Sequence, residues 1–274
     1  MGLTKQWISF GDDNQDYGYF AVPTGLTQPV AALLVGQEIW GVDGHIQNVV
    51  ERLAAAGYAV LAPDLFAEAG KRPQKLSSLR VSQAQDFVNA LPDPHIAFDP
   101  KARVQALSAY SGEHQVQISE TMDALIDAMK INLDGPWVAT LRRAVHHLST
   151  ELSFTQDQRI GIVGFCMGGA LAMRLAAEEP GLAAAVSFYG RPPTAERIAE
   201  VRCPVLAFNG ALDTGLIAQL PALTAQMQAH HKIFESHVYA QADHAFFNDN
   251  RPAYNVAAAR DAYARTLMFF NSLL

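Results

Sequence analysis

Gly161-Ile162-Val163-Gly164-Phe165-Cys166-Met167-Gly168-Gly169-Ala170 is the stretch on which the fold turns. An apolar run that reads as a buried strand passes straight into a helical stretch through Gly164-Phe165-Cys166-Met167-Gly168. This is the glycine-x-nucleophile-x-glycine elbow, with cysteine where serine is usual. The turn is tight, so the strand and helix approach closely only if the neighbours are small. Gly164 and Gly168 meet that need, and Gly169 lets the helix pack. The Cys166 sulfur then lies at a helix N-terminus, whose partial positive charge favours the thiolate. No serine stands in an equivalent spacing elsewhere in the chain. The plainer alternative is an inert buried cysteine in a glycine-rich turn. Cys203, before Pro204 at the mouth of an apolar strand, reads that way.

Outward from the elbow, short apolar runs alternate with amphipathic helical stretches, the pattern of an α/β fold with a mostly parallel sheet flanked by helices. Strands are expected at Val30 to Val35, Tyr58 to Ala62, Arg159 to Val163, Ala183 to Phe188, Val205 to Asn209 and Phe234 to Tyr239. Gln6 to Phe10 and Gly18 to Val22 read as a hairpin around a turn-forming GDDNQD. Helices are expected over His45 to Ala56, closed by Gly57, and over Trp137 to Glu151, Met167 to Glu178 and Ala253 to Leu274. The spacing predicts one domain over 1–274. Within it, 68–135 lacks a core strand, carries Pro73, Pro92, Pro94 and Pro100, and has a helical stretch near Ser119 to Lys130. It is expected to be an insertion or cap; a peripheral helical decoration is the alternative.

The whole composition agrees with a large buried core. The chain has 274 residues, 50% of them hydrophobic, with Lys+Arg 20 against Asp+Glu 27 for a net charge of −7. That excludes a disordered chain and argues against nucleic-acid binding. Two cysteines make no disulfide framework and fit a reducing compartment. The start has no apolar leader core, Gln6 stands where a myristoylation motif needs Ser or Thr, and the uncharged Tyr17 to Gln37 is broken by Pro23 and Pro29. The expectation is a cytoplasmic protein with no membrane partner; the sequence leaves the oligomeric state open.

An elbow of this kind requires an acid and then a histidine downstream. Asp213 follows the strand Val205 to Asn209, and His244 follows Phe234 to Tyr239. Each interval has room for one strand–helix unit, so Cys166, Asp213 and His244 should meet at the carboxyl edge of the sheet, where open α/β folds bind ligands. Asp243 is a rival acid, although its position beside the histidine aims it elsewhere. His146, His147, His230 and His231 fall in helical stretches and read as surface residues. The Met167 N–H is one expected oxyanion donor. The second comes from Gly36-Gln37-Glu38-Ile39-Trp40-Gly41, where Ile39 N–H is the candidate. Metal chemistry has little support: there is no H-E-x-x-H, no paired C-x-x-C and no Walker lysine, and no cofactor is expected.

Taken together, Gln37-Glu38-Ile39-Trp40-Gly41, Ala62-Pro63-Asp64-Leu65-Phe66, the elbow, the Asp213 loop and His244-Ala245-Phe246-Phe247-Asn248 resemble the dienelactone hydrolase family of α/β-hydrolases. The resemblance covers nearly the whole chain outside 68–135. It implies a Cys166-Asp213-His244 triad, and a Glu38 that approaches the resting thiol and holds it protonated until substrate arrives. The sequence also departs from the family. The arginine that usually lies four residues after the histidine is replaced by Asn248, and Arg251 follows. Phe66-Ala67-Glu68 stands where a basic residue is usual. Arg72, Arg80 and Arg103 are open as the second substrate arginine, with Trp40 and Arg251 as further substrate contacts. The expected activity is cofactor-independent hydrolysis of a small ester or lactone through a thioester. A carboxylesterase or thioesterase, a non-catalytic ligand-binding protein and a redox-sensing thiol are the alternatives.

Overall fold

The central strands form where the chain is apolar on both faces, because helices cover both sides of the sheet there, while the edge strands carry polar residues. The computed structural model describes residues 2–274. β1 (Leu3–Phe10) and β2 (Asp16–Pro23) make the N-terminal antiparallel hairpin, with Leu3 opposite Pro23. β3 (Ala32–Gly36), α1 (Gly44–Ala55) and β4 (Ala59–Pro63) follow. α1 starts where the Asp43 carboxylate accepts the Ile46 N–H (3.0 Å) and stops at Gly57, whose φ of 111° suits glycine.

Between β4 and the next strand the chain is helical: α2 (Ser78–Ala90), α3 (Pro100–Ala106), α4 (Gly112–Asn132) and α5 (Pro136–Thr150). The alternation then resumes with β5 (Ile160–Phe165), α6 (Met167–Glu178), β6 (Leu182–Phe188), α7 (Ala195–Glu200) and β7 (Val205–Gly210). The short α8 (Thr214–Ile217), α9 (Leu220–Ala229), β8 (Phe234–Tyr239) and α10 (Val256–Leu273) complete it.

The eight strands lie in the order β1-β2-β4-β3-β5-β6-β7-β8, antiparallel as far as β4 and parallel from there. β3 has β4 on one side and β5 on the other, so the winding reverses at β3. The carboxyl ends of β3 and β5 flank the crevice where such sheets take ligands. Alternate residues feed opposite faces. Leu34 and Ile162 join the core under α5, α6 and the 68–135 segment; Leu33, Val35 and Val163 join the core under α1 and α10.

The expected strands are present within a residue or two, except that β1 begins three residues before the expected Gln6. The 68–135 segment holds more structure than the single expected helix at Ser119 to Lys130, because α2 and α4 segregate their apolar residues less cleanly than α1 and α5. Side-chain pairs organise it instead. Buried Arg103 binds Asp123, the Ala97 carbonyl (3.0 Å) and Ser119 (3.3 Å). Arg80 binds the Gln117 carbonyl (2.7 Å), Glu120 (2.9 Å) and Thr121 (3.1 Å). One histidine departs from expectation. His147 is buried beside Phe10, with Nδ1 2.7 Å from Glu151, because the apolar stripe of α5 includes its position. No helix among the described residues is long and apolar enough to cross a membrane.

Candidate active site

β5 passes into α6 with no loop, and Cys166 is the corner residue, at φ 54° and ψ −113°. A side-chain-bearing residue is strained there, and surrounding structure must hold it. The Cys166 N–H donates to the Phe188 carbonyl (3.0 Å), and its own carbonyl accepts the Ala170 N–H (3.1 Å). The flanking glycines are steric necessities. A Cβ on Gly164 would strike the Gly168 carbonyl, and one on Gly168 would strike the Gly36 carbonyl. That second contact presses the loop after β3 against the elbow.

Asp213 follows β7 and caps α8, accepting the Leu216 N–H at 3.3 Å. Its Oδ2 lies 2.7 Å from His244 Nδ1, across the gap between the loops after β7 and β8. Asp243 is exposed and accepts the backbone N–H of His244 (2.7 Å), so it engages the chain rather than the ring. His244 Nδ1 is taken by Asp213, and the charge of the Cys166 sulfur is felt at the imidazole. Burial by itself would lower the His244 pKa; the sulfur and Asp213 outweigh it and hold the value well above 6.5. Burial would raise Asp213, but the His244 hydrogen bond and charge bring it below the usual carboxylate range. Cys203 is buried and pushed up to about 12 by loss of water, which makes it a poor nucleophile.

The loop after β3 carries the other expected residues. The Gly41 N–H donates to the Glu38 carbonyl (3.1 Å), closing a tight turn around Ile39 and Trp40. The N–H groups of Ile39 and Met167 have no acceptor among the described residues. Glu38 is buried. Its Oε1 accepts the Tyr189 hydroxyl (3.0 Å) and its Oε2 accepts Asn248 Nδ2 (2.8 Å). Its hydrogen bonds thus go to Tyr189 and Asn248, not to the thiol that the family resemblance implies. Tyr189 and Asn248 were not singled out as site residues from the sequence. The usable signal for Tyr189 is its place just past an apolar central strand, where Asp213 also stands relative to β7.

The arginines divide. Arg80 and Arg103 are committed inside the 68–135 segment and do not reach the site. Arg72 Nε donates to Asp64 (2.6 Å), and its guanidinium packs on Gly41. Arg251 stacks over Trp40 at 5.4 Å, with Nε and Nη1 buried and unpartnered. The 68–135 segment borders this corner through Gln85 Nε2 to Asp43 (3.3 Å) and Asn89 Nδ2 to the Asn250 carbonyl (3.5 Å). A cleft of about 380 Å³ lies apart from the triad, lined by Phe66, Leu76, Asn132, Trp137 and Arg143 among others. Among the described residues no cluster of His, Cys, Asp and Glu could hold a metal ion.

With this geometry described, three comparisons bear on the chain. A model of the dienelactone hydrolase family matches residues 17–274. A provisionally named carboxymethylenebutenolidase from Saccharolobus solfataricus is 32% identical over 97% of this chain and 98% of its own length. Another provisionally named carboxymethylenebutenolidase, from Yersinia pestis, is 29% identical over 92% of this chain and 82% of its own. Among solved structures, a provisional dienelactone hydrolase from Klebsiella pneumoniae superimposes with a TM-score of 0.72, covering 99% of both chains at 24% identity.

Proposed function

The chain belongs to the dienelactone hydrolase family, and from that premise we propose that this hydrolase acts on ester bonds through a Cys166-His244-Asp213 triad. The carrying observation is the 2.7 Å bond from His244 Nδ1 to Asp213, at an imidazole whose pKa the elbow cysteine helps to raise. The Cys166 sulfur attacks the ester carbonyl while His244 takes its proton. The Met167 and Ile39 N–H groups receive the oxyanion. Collapse breaks the acyl C–O bond, and the imidazolium returns the proton to the leaving oxygen. Water, deprotonated by His244, then cleaves the thioester and regenerates the thiol. Asp213 orients the ring and stabilises its cationic form.

The relatives' names point to a lactone of the dienelactone type as substrate. Arg251, with unpartnered Nε and Nη1 over Trp40, suits a substrate carboxylate. One observation favours a second reading, hydrolysis of a small carboxylic ester or thioester without that carboxylate: Asn248 and Glu68 stand where the family usually places basic residues.

The test uses p-nitrophenyl acetate and a dienelactone with Cys166→Ala and Cys203→Ala. Turnover of either substrate by the unmodified protein, lost in Cys166→Ala and kept in Cys203→Ala, supports the triad. Retained turnover in Cys166→Ala removes cysteine from the reaction. Turnover of the acetate ester alone selects the second reading.

A further inference from the structure

Glu38 is the one buried carboxylate on the loop that presses against the elbow, and its two oxygens are already engaged. Tyr189 supplies a neutral hydroxyl to Oε1 and Asn248 a neutral amide to Oε2. Both donors are themselves fixed. Tyr189 is buried, with φ 39°, and its N–H is bound to the Phe208 carbonyl at 2.7 Å. Asn248 is fully buried, and its Oδ1 accepts the Asn250 N–H at 3.0 Å. The Tyr189 ring also stands 5.0 Å from the His244 ring, between the Glu38 loop and the triad. Hydrogen bonds to a carboxylate are strong where water is excluded, so a Glu38 held at both oxygens stays where it is.

We infer that Asn248 and Tyr189 are positioning residues that hold Glu38 off the Cys166 sulfur, leaving His244 as the group that takes the thiol proton. This rests on the proposed role of Cys166 as nucleophile. The proton passes from the Cys166 sulfur to His244, giving a thiolate beside an imidazolium with no other reactant. The raised His244 value and a Tyr189 phenol kept neutral, by burial first and then by Glu38, agree with that arrangement. The charged and titratable groups around the pair are Asp213 and His244 on the loops after β7 and β8, Tyr189 after β6, Asp43 before α1, and Arg251. The neutral Asn248 anchors Glu38 Oε2 in place.

The experiment measures iodoacetamide alkylation of Cys166 by mass spectrometry, across pH 5–9, in the full-length protein. Glu38→Gln should alkylate within about twofold of the unmodified protein at neutral pH. Asn248→Ala and Tyr189→Phe each free one carboxylate oxygen. They should slow alkylation by about tenfold, the change that one pKa unit makes, and should shift its pH profile upward. Asn248→Ala/Glu38→Gln should return the rate and the profile, a rescue that a merely structural role for Asn248 would not produce. Should Asn248→Ala fail to fold, Tyr189→Phe, which loses only a hydroxyl, with Tyr189→Phe/Glu38→Gln carries the same comparison. A rise of fivefold or more in Glu38→Gln alone, or unchanged alkylation in the folded Asn248→Ala and Tyr189→Phe variants, overturns the inference. Failure of the triad reading looks different: fully alkylated protein would keep its ester turnover whatever the variants' rates.

Discussion

The elbow at Gly164–Gly169 and the helical segment between β4 and β5 are constrained in sequence in different ways. At the elbow, backbone meets backbone: the Gly168 position touches the Gly36 carbonyl and the Gly164 position touches the Gly168 carbonyl. Nothing there can move aside, so residue identity is dictated atom by atom. In the helical segment, side chain meets side chain. Arg103 with Asp123 and Arg80 with Glu120 hold α2, α3 and α4 together, and many other pairs would serve. The proposed nucleophile sits on the side where backbone meets backbone.

Gly168→Ala should break this contrast most visibly. The added methyl overlaps a backbone carbonyl of β3, and we expect no soluble folded protein, or a loss of about 4 kcal/mol or more in denaturant unfolding. A folded, stable Gly168→Ala protein would show that the elbow is not backbone-limited.

Asp213→Asn acts next, on function rather than fold. Turnover should fall by about 10³–10⁴-fold with the thermal midpoint little changed, whereas Asp243→Asn should stay within a few-fold. Without the Asp213 carboxylate one of the causes that raise His244 is lost, and its titration, followed by imidazole proton NMR, should move down. The sign carries into stability. A raised histidine pKa gives a contribution that is complete below pH 6.5 and disappears as pH rises through the raised value. The unmodified protein should therefore lose thermal stability on the alkaline side more steeply than Asp213→Asn. Equal turnover in Asp213→Asn and Asp243→Asn would reassign the acid.

Arg103→Ala probes the helical segment and should have the smallest effect on chemistry. It leaves a cavity and strands the Ala97 carbonyl, at a cost of about 2–4 kcal/mol, while kcat/KM of the folded protein stays within about twofold. Loss of turnover without loss of stability would return Arg103 to the substrate arginines.

The same contrast explains what the sequence disclosed. Local sterics leave a local signature, so the Gly164–Gly169 spacing marked the elbow, and uninterrupted apolar runs marked β3 to β7. Asp213 was marked by its place in the loop after the apolar β7, and His244 by its place in the loop after β8, whose sequence FESHVY mixes apolar and polar residues. The 68–135 segment was legible only as a gap: the bonds that order it join Arg103 to Asp123 and Arg80 to Glu120, across turns with no fixed spacing. Asn248 was visible as a departure and not as the partner of Glu38, because that contact spans 210 positions of chain. Tyr189 was hidden for the same reason.

The strand order has a consequence for how the chain comes into being. Gly36 ends beside Gly164, but β4 and all four helices from α2 to α5 are synthesised between them. At ribosomal speed β5 emerges on the order of ten seconds after β3. During that interval Ala32–Gly36, wholly apolar in its side chains, can pair with β4 along one edge, while the backbone N–H and C=O groups of its other edge have no partner. Nascent chains of this protein are therefore most prone to misassociate before Phe165 is made, and a holding chaperone would have its greatest effect in that window.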